Sequence, residues 1–247
     1  MRILSDLQTY YEENGIEALN FTCKHRDHCS AGCPDFTGPK AAFVGEEYER
    51  GTLPRVLFVS LDSGDASPNP RDRTLRRVRE IEQGRDVLAL DRKLHWYNTH
   101  EIGWRILQRF APWLQLKDIT PYFAHTNSAK CCMNRSGKKQ AADRLFGNCR
   151  VYVPEELKIL KPEIVVTQGK MARTALRGID VLRRGEKACA SAETFEYKVL
   201  SIAGKPVLCM HTYHPSAYGH FWRQKKNCLE TFADLASAFI REREKSS

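Results

Sequence analysis

Four short apolar runs, each closing on chemically rich residues, constrain this chain more than any other feature. They are Arg55 to Ser60 (RVLFVS), Pro121 to Thr126, Glu163 to Gln168 and Pro206 to Thr212. Short runs with valines, apolar at successive positions, suit strands covered on both faces. Helical patterns separate them: Asn98 to Phe110, Val153 to Lys161, Lys170 to Arg177 and a long one from Trp222 to Glu242. Another spans residues 2 to 14, where Ile3, Leu4, Leu7, Tyr10 and Tyr11 recur on one side. This alternation predicts an α/β chain, a three-layer α/β/α sandwich around a central, mainly parallel four-stranded sheet. Residues 186 to 203 add a hairpin, because Phe195 to Val199 alternates.

With 247 residues, the chain fits one domain over 1–247 and can bury a substantial core. Two segments stand apart within it: a cysteine-containing loop at 23–52 and a basic insertion at 66–94. The net charge of +9 makes attraction to a polyanion such as nucleic acid plausible. The amino-terminal residues lack the apolar core of a signal peptide, and no stretch reaches the length of a membrane span. A cytoplasmic monomer with no membrane partner is therefore expected. Nine cysteines in a reducing compartment favour metal ligation or redox chemistry over a disulfide framework. Cys189, Cys209 and Cys228 stand alone and are expected to be ordinary buried thiols.

In open α/β sheets the working site lies beyond the carboxyl ends of the strands. That rule selects Leu61 to Asp65, Asn127 to Cys131, Gly169-Lys170 and Tyr213 to Ser216. The phrase Thr126-Asn127-Ser128-Ala129-Lys130-Cys131, with seventeen residues separating Cys131 from Cys149 and Lys161 to Val166 beyond, resembles the TN-x-x-KC phrase, second cysteine and KP-x-I-V strand of the uracil-DNA glycosylase superfamily's iron-sulfur branch. His214-Pro215-Ser216 is similar to the superfamily's second catalytic motif, and Ser60 to Asp65 occupies the place of its first. The resemblance runs from Cys29 to about Arg223.

It implies an α/β/α fold, a structural [4Fe-4S] cluster and hydrolysis of the bond between a base and deoxyribose in DNA. By the resemblance, Cys29, Cys33, Cys131 and Cys149 hold the cluster, with Cys23 and Cys132 as spares. Four thiolates alone would also suit zinc. Asp62 falls where another branch, with a G-Q-D-P-Y phrase, has its catalytic aspartate; Asp65 is its neighbouring competitor. Asp62 would activate water and stabilise a cationic sugar, and His214 would donate to the departing base. Asn127 carries a donor and an acceptor suited to the edge of a flipped pyrimidine. Trp96 or Tyr97 would stack on the base. Ser63, Ser216 and Arg223 would contact DNA, as would Trp222, Lys225 and Lys226, while Tyr218 or Phe221 would wedge into the stack.

Departures from the pattern bear on the substrate. Leu61 stands where the iron-sulfur branch has glutamate, Ser63 where it has proline, and His95-Trp96-Tyr97 where it has the stacking phenylalanine. An insertion of about twenty residues precedes that region; Arg71 to Lys93 holds eight Lys or Arg against five Asp or Glu, around a short amphipathic helix with Leu75, Val78, Ile81 and Glu82. Its basic face could track a DNA backbone. The target is thus uracil or a modified pyrimidine, with a decorated cytosine of phage DNA, and so an antiviral role, as one reading. The rivals are a noncatalytic iron-sulfur DNA-binding module on the same fold and a hydrolase of RNA or nucleotides.

Overall fold

The computed structural model describes residues 2–64, 67–133, 142–189, 193–215 and 218–245, with Tyr218 as backbone only. Along the chain come α1 (Ile3–Glu13), α2 (Arg26–Ser30), β1 (Phe36–Thr37), β2 (Phe43–Val44), α3 (Glu46–Arg50) and β3 (Val56–Ser60). Then follow α4 (Leu75–Gln83), α5 (His95–Leu107), β4 (Phe123–Asn127), β5 (Cys132–Met133), α6 (Asp143–Cys149), α7 (Val153–Leu160) and β6 (Ile164–Gln168). The chain ends with α8 (Lys170–Ala175), β7 (Val181–Ala188), β8 (Thr194–Ile202), β9 (Lys205–Thr212) and α9 (Tyr218–Glu244).

The main sheet has the order β2-β4-β3-β6-β9-β8-β7. Its four middle strands are parallel and coincide with the four apolar runs; β2 at one side and the β7–β8 hairpin at the other pair antiparallel. The expected four parallel strands are thus extended to seven on the flanks, by the expected hairpin, which begins earlier than residue 186, and by β2. Alternation along each strand divides the core. Leu57, Val59, Val165 and Cys209 pack under α1, α7 and α8, whereas Val56, Phe58, Phe123, Val166 and Met210 pack under α5 and α9. β3 and β6 are buried at every position, as central strands with both faces covered must be.

The insertion does form the expected helix, α4, capped by the Thr74 hydroxyl. Its cations are not all on a solvated face. Arg73, 1% exposed, donates to the Pro39 carbonyl at 3.2 Å, the Ser67 carbonyl at 3.0 Å and the Ser63 hydroxyl at 2.7 Å, so it fastens the insertion to the loop after β3. A second departure concerns the lone cysteines: Cys189 and Cys228 form a disulfide between the end of β7 and α9, while Cys209 is a buried thiol as expected. Among the described residues no helix is long and apolar enough to cross a membrane.

Candidate active site

The α5-facing side of the sheet turns polar at its carboxyl end. Phe58 is followed two residues on by Ser60, Phe123 by His125 and Asn127, and Val166 by Gln168, so a polar layer lies directly above the apolar one. Helix α5 lowers His95 and Thr99 onto it. The Ser60 hydroxyl donates to Gln168 Oε1 at 2.7 Å and lies 3.0 Å from His95 Nε2 and 2.8 Å from His125 Nε2. A hydroxyl has one proton and two lone pairs. With the proton given to Gln168, both imidazoles must donate to Ser60, which fixes an N–H on each Nε2. Gln168 Nε2 donates to the Thr99 hydroxyl at 3.0 Å, and that hydroxyl lies 3.0 Å from the His95 carbonyl, closing the network.

His214, beyond β9, completes the group. Its ring stacks on His95 with centroids 5.1 Å apart and planes 20° apart, while His95 meets His125 edge-on at 5.8 Å. Gly169 permits this approach: its φ is +96°, and a Cβ there would lie 3.1 Å from His214 Cβ and 3.2 Å from Leu61 Cδ2. The loops after β3, β6 and β9 thus meet at one point. Gln224 of α9 holds the last of them, accepting from the Tyr213 N–H at 2.9 Å and donating to the His211 carbonyl at 3.2 Å.

Burial keeps these imidazoles neutral. It pushes the pKa of His214 down to about 4, and burial followed by the neighbouring His214 pushes His95 down to about 3. His125 falls well below the ordinary histidine range through burial and then His95. Neutral imidazoles keep an N–H to donate without carrying a buried cation.

Asp62 is half-buried in the loop after β3, one residue past Leu61 and hence at the same sheet end as His214. Asn127 ends β4, paired in register with Ser60; it is 4% exposed, and its Oδ1 has no hydrogen-bond partner among the described residues. A buried amide oxygen without a partner is costly and marks a place where a ligand donor fits. Asp65 and Ser216 lie outside the described residues.

The expected stacking residues go elsewhere. Trp96 sits edge-on to His125, His100, Phe43 and Phe123, a wall behind the histidines. Tyr97 is buried, its ring beneath Lys225 at 5.7 Å; one residue further round α5 than Trp96, it faces α9. Lys225 itself is held by Asn98 Oδ1 at 2.8 Å and Glu101 at 2.5 Å, and Phe221 is 1% exposed in the core; neither is placed to meet DNA. Ser63 is engaged by Arg73. Arg223 is exposed and pairs with Glu193 at 3.2 Å. Ser60, His125 and Gln168 were missed by strand-tip reasoning, which looked past the strands; the available signal was a polar residue closing an otherwise apolar run.

The loop after β4 joins this site to the cysteines. Its Ser128 and Ala129 N–H groups donate to the Ser60 and Leu61 carbonyls at 2.9 and 2.8 Å. Lys130, 2% exposed, forms an ion pair with the fully buried Glu156, which also receives Tyr11 and, at 3.0 Å, Thr126. Cys29, Cys33, Cys131 and Cys149 are all buried and unbridged. The Lys130 N–H points to Cys149 Sγ at 3.3 Å and the Asn148 amide to Cys29 Sγ at 3.2 Å. Burial, then the neighbouring Cys149, Cys29 and Cys23, raises the Cys131 thiol well above its ordinary value; Cys149 is raised to about 11, chiefly by burial.

In donor chemistry and burial these thiols fit a thiolate-bound metal group. Among the described residues no three His, Cys, Asp or Glu side chains already converge as metal ligands, so the thiols are neighbours and not a closed cage. Cys23 lies 3.2 Å from the Tyr152 hydroxyl and within electrostatic reach of Cys131. Cys132 faces Arg73, 3.9 Å away.

A central parallel sheet between helical layers, with polar side chains gathered at the strand tips, defines an α/β/α protein whose candidate site lies at the carboxyl edge of its sheet. The sequence profile of the uracil DNA glycosylase superfamily matches residues 91–236, more than half of the chain. The chain belongs to this superfamily, whose members are in general DNA glycosylases. His214, Asn127, Cys131 and Cys149 lie inside the match; Asp62, Cys29 and Cys33 precede it. No curated protein matches the sequence.

Proposed function

We propose that this protein is a DNA glycosylase that hydrolyses the N-glycosidic bond of a flipped-out pyrimidine and leaves an abasic site. The observation that carries the reading is the unpartnered Asn127 Oδ1 at the same strand tips as Asp62 and the neutral His214. A base must leave the helix stack before its glycosidic bond can be reached. Asn127 then reads its edge, replacing the missing partner of its own amide. As the bond between C1′ and the base nitrogen breaks, its electron pair goes to the base and positive charge grows on the sugar. Asp62 orients a water, takes its proton as the oxygen bonds to C1′, and opposes the sugar's charge. His214, as a neutral donor, supports the negative charge on the departing base.

Cys29, Cys33, Cys131 and Cys149 are the proposed ligands of a [4Fe-4S] cluster, with zinc as the alternative occupant. When bound, that group cross-links α2, the loop after β4 and α6, and takes no part in the chemistry because hydrolysis moves no electrons. The base is uracil or a modified pyrimidine. Leu61 against Gly169 and an insertion fastened through Arg73 to the loop after β3 give a first-motif region built unlike the glutamate-bearing one, which favours a decorated cytosine such as phage DNA carries, and with it an antiviral role.

Wild-type and Asp62→Asn protein, incubated with uracil-containing oligonucleotides and with phage DNA bearing modified cytosine, should release free base from at least one substrate, identified by mass spectrometry. Asp62→Asn should slow release by about 10²- to 10⁴-fold with DNA binding retained. DNA binding without base release from any substrate would establish the noncatalytic module instead.

A further inference from the structure

On the other face of the sheet, between α8 and the β7–β8 hairpin, lies a cavity of about 250 Å³. Arg173, Arg177, Arg184 and Lys198 line it, with Glu196 as its carboxylate. Glu196 is taken by Arg173. Among the described residues Arg177, Arg184 and Lys198 form no ion pair, although they arrive from three different elements. Arg184 stands directly opposite Lys198 across the ladder, and like charges so placed repel at a cost to the sheet. An anion between them would offset that cost.

The remaining walls suit more than a bare ion. Thr167 and His211 close the inner end, with the threonine hydroxyl 3.0 Å from His211 Nδ1. Leu176, Ile179, Val181 and Leu200 supply an apolar wall. An apolar wall beside cations suits a phosphate that carries an organic part. Thr167 and His211 immediately precede Gln168 and Thr212, the strand ends that carry the candidate active site, but face the opposite way.

We propose that the hollow between α8 and the β7–β8 hairpin is a second ligand site, built for a phosphate group carried by a nucleotide or by DNA. Guanidinium groups match phosphate oxygens in pairs, and the apolar wall of Leu176, Ile179, Val181 and Leu200 receives the attached organic part. The site does not depend on base excision.

The test compares wild type, Arg184→Gln and the Arg177→Gln/Arg184→Gln pair, with Arg241→Gln/Lys245→Gln at the exposed end of α9 as a charge-matched control. Each is titrated with thymidine monophosphate by calorimetry and with a labelled oligonucleotide of ordinary bases by anisotropy. The double variant should bind about tenfold or more weakly, Arg184→Gln by less, and the control as wild type. Loss confined to the mononucleotide assigns a free nucleotide to the site, and loss confined to the oligonucleotide assigns a DNA phosphate. Unchanged affinity for both ligands, or equal weakening in the control, overturns the proposal. Arg184 is exposed on an edge strand, so its single variant keeps the test informative should the pair misfold.

Discussion

The imidazoles at the strand tips and the thiols between α2 and α6 are both buried titratable groups, and burial acts on them in opposite directions. It lowers His95, His125 and His214 and raises Cys131 and Cys149, because desolvation penalises the charged form in each case. The consequences differ. A neutral imidazole is a working hydrogen-bond donor, and the bracket around Ser60 satisfies itself with side chains alone. A neutral thiol is a poor ligand and a poor nucleophile. Among the described residues the four thiols receive two N–H···S contacts, and the pull of Arg73 and Lys130 on Cys131 and Cys149 does not offset their burial; a metal centre supplies the charge that would draw off their protons.

That contrast can be broken most strongly at the cysteines. Cys131→Ser, compared with wild type from iron-replete cells, should lose bound iron and visible absorbance together and fall by several kcal/mol in stability, since a structural metal's binding energy is folding energy. Wild type with neither iron nor zinc by elemental analysis would leave these thiols as plain core. The next effect is expected at the ion pair joining the two groups. Lys130→Met strands the Glu156 carboxylate at 0% exposure, a change that costs about 3–5 kcal/mol in urea unfolding. A loss near zero would mean that the loop after β4 is held by its cysteines and not by the pair.

How much of this was legible follows from which signals are local. β3, β4, β6 and β9 were read to within two residues because their central positions are apolar on both faces. β7 was read only in its last residues, since Val181 to Ala188 is exposed almost throughout and carries no apolar period; edge strands keep such charges to discourage pairing. Arg73 resembled every other cation of the insertion, and only the fold reveals the two carbonyls and the hydroxyl within its reach. Asp62, Asn127 and His214 were legible as strand-tip residues, whereas the bracket of His95, His125 and His214 joins positions up to 119 apart, and the Cys189–Cys228 bridge spans 39. Neither pairing leaves a mark in sequence spacing.

The smallest effect tests the imidazole side by pH. An unfolded histidine titrates near pH 6.5, and the folded values of His95 and His214 lie at about 3 and about 4, with His125 also well below the ordinary range. Between those limits the unfolded chain binds more protons than the folded one, so stability must rise with pH there. It is therefore complete above about pH 6.5 and drains away as the solution is acidified toward the folded values. Each such histidine contributes about 1.4 kcal/mol per pH unit to that slope. His125→Gln keeps an amide N–H for Ser60 but removes one titrating group. Urea midpoints of this variant, taken from pH 6.5 down to pH 4.5, should fall less steeply than those of wild type by one histidine's share. Parallel curves would mean that the His125 ring is protonated in the folded protein and that Ser60 accepts from a cation there.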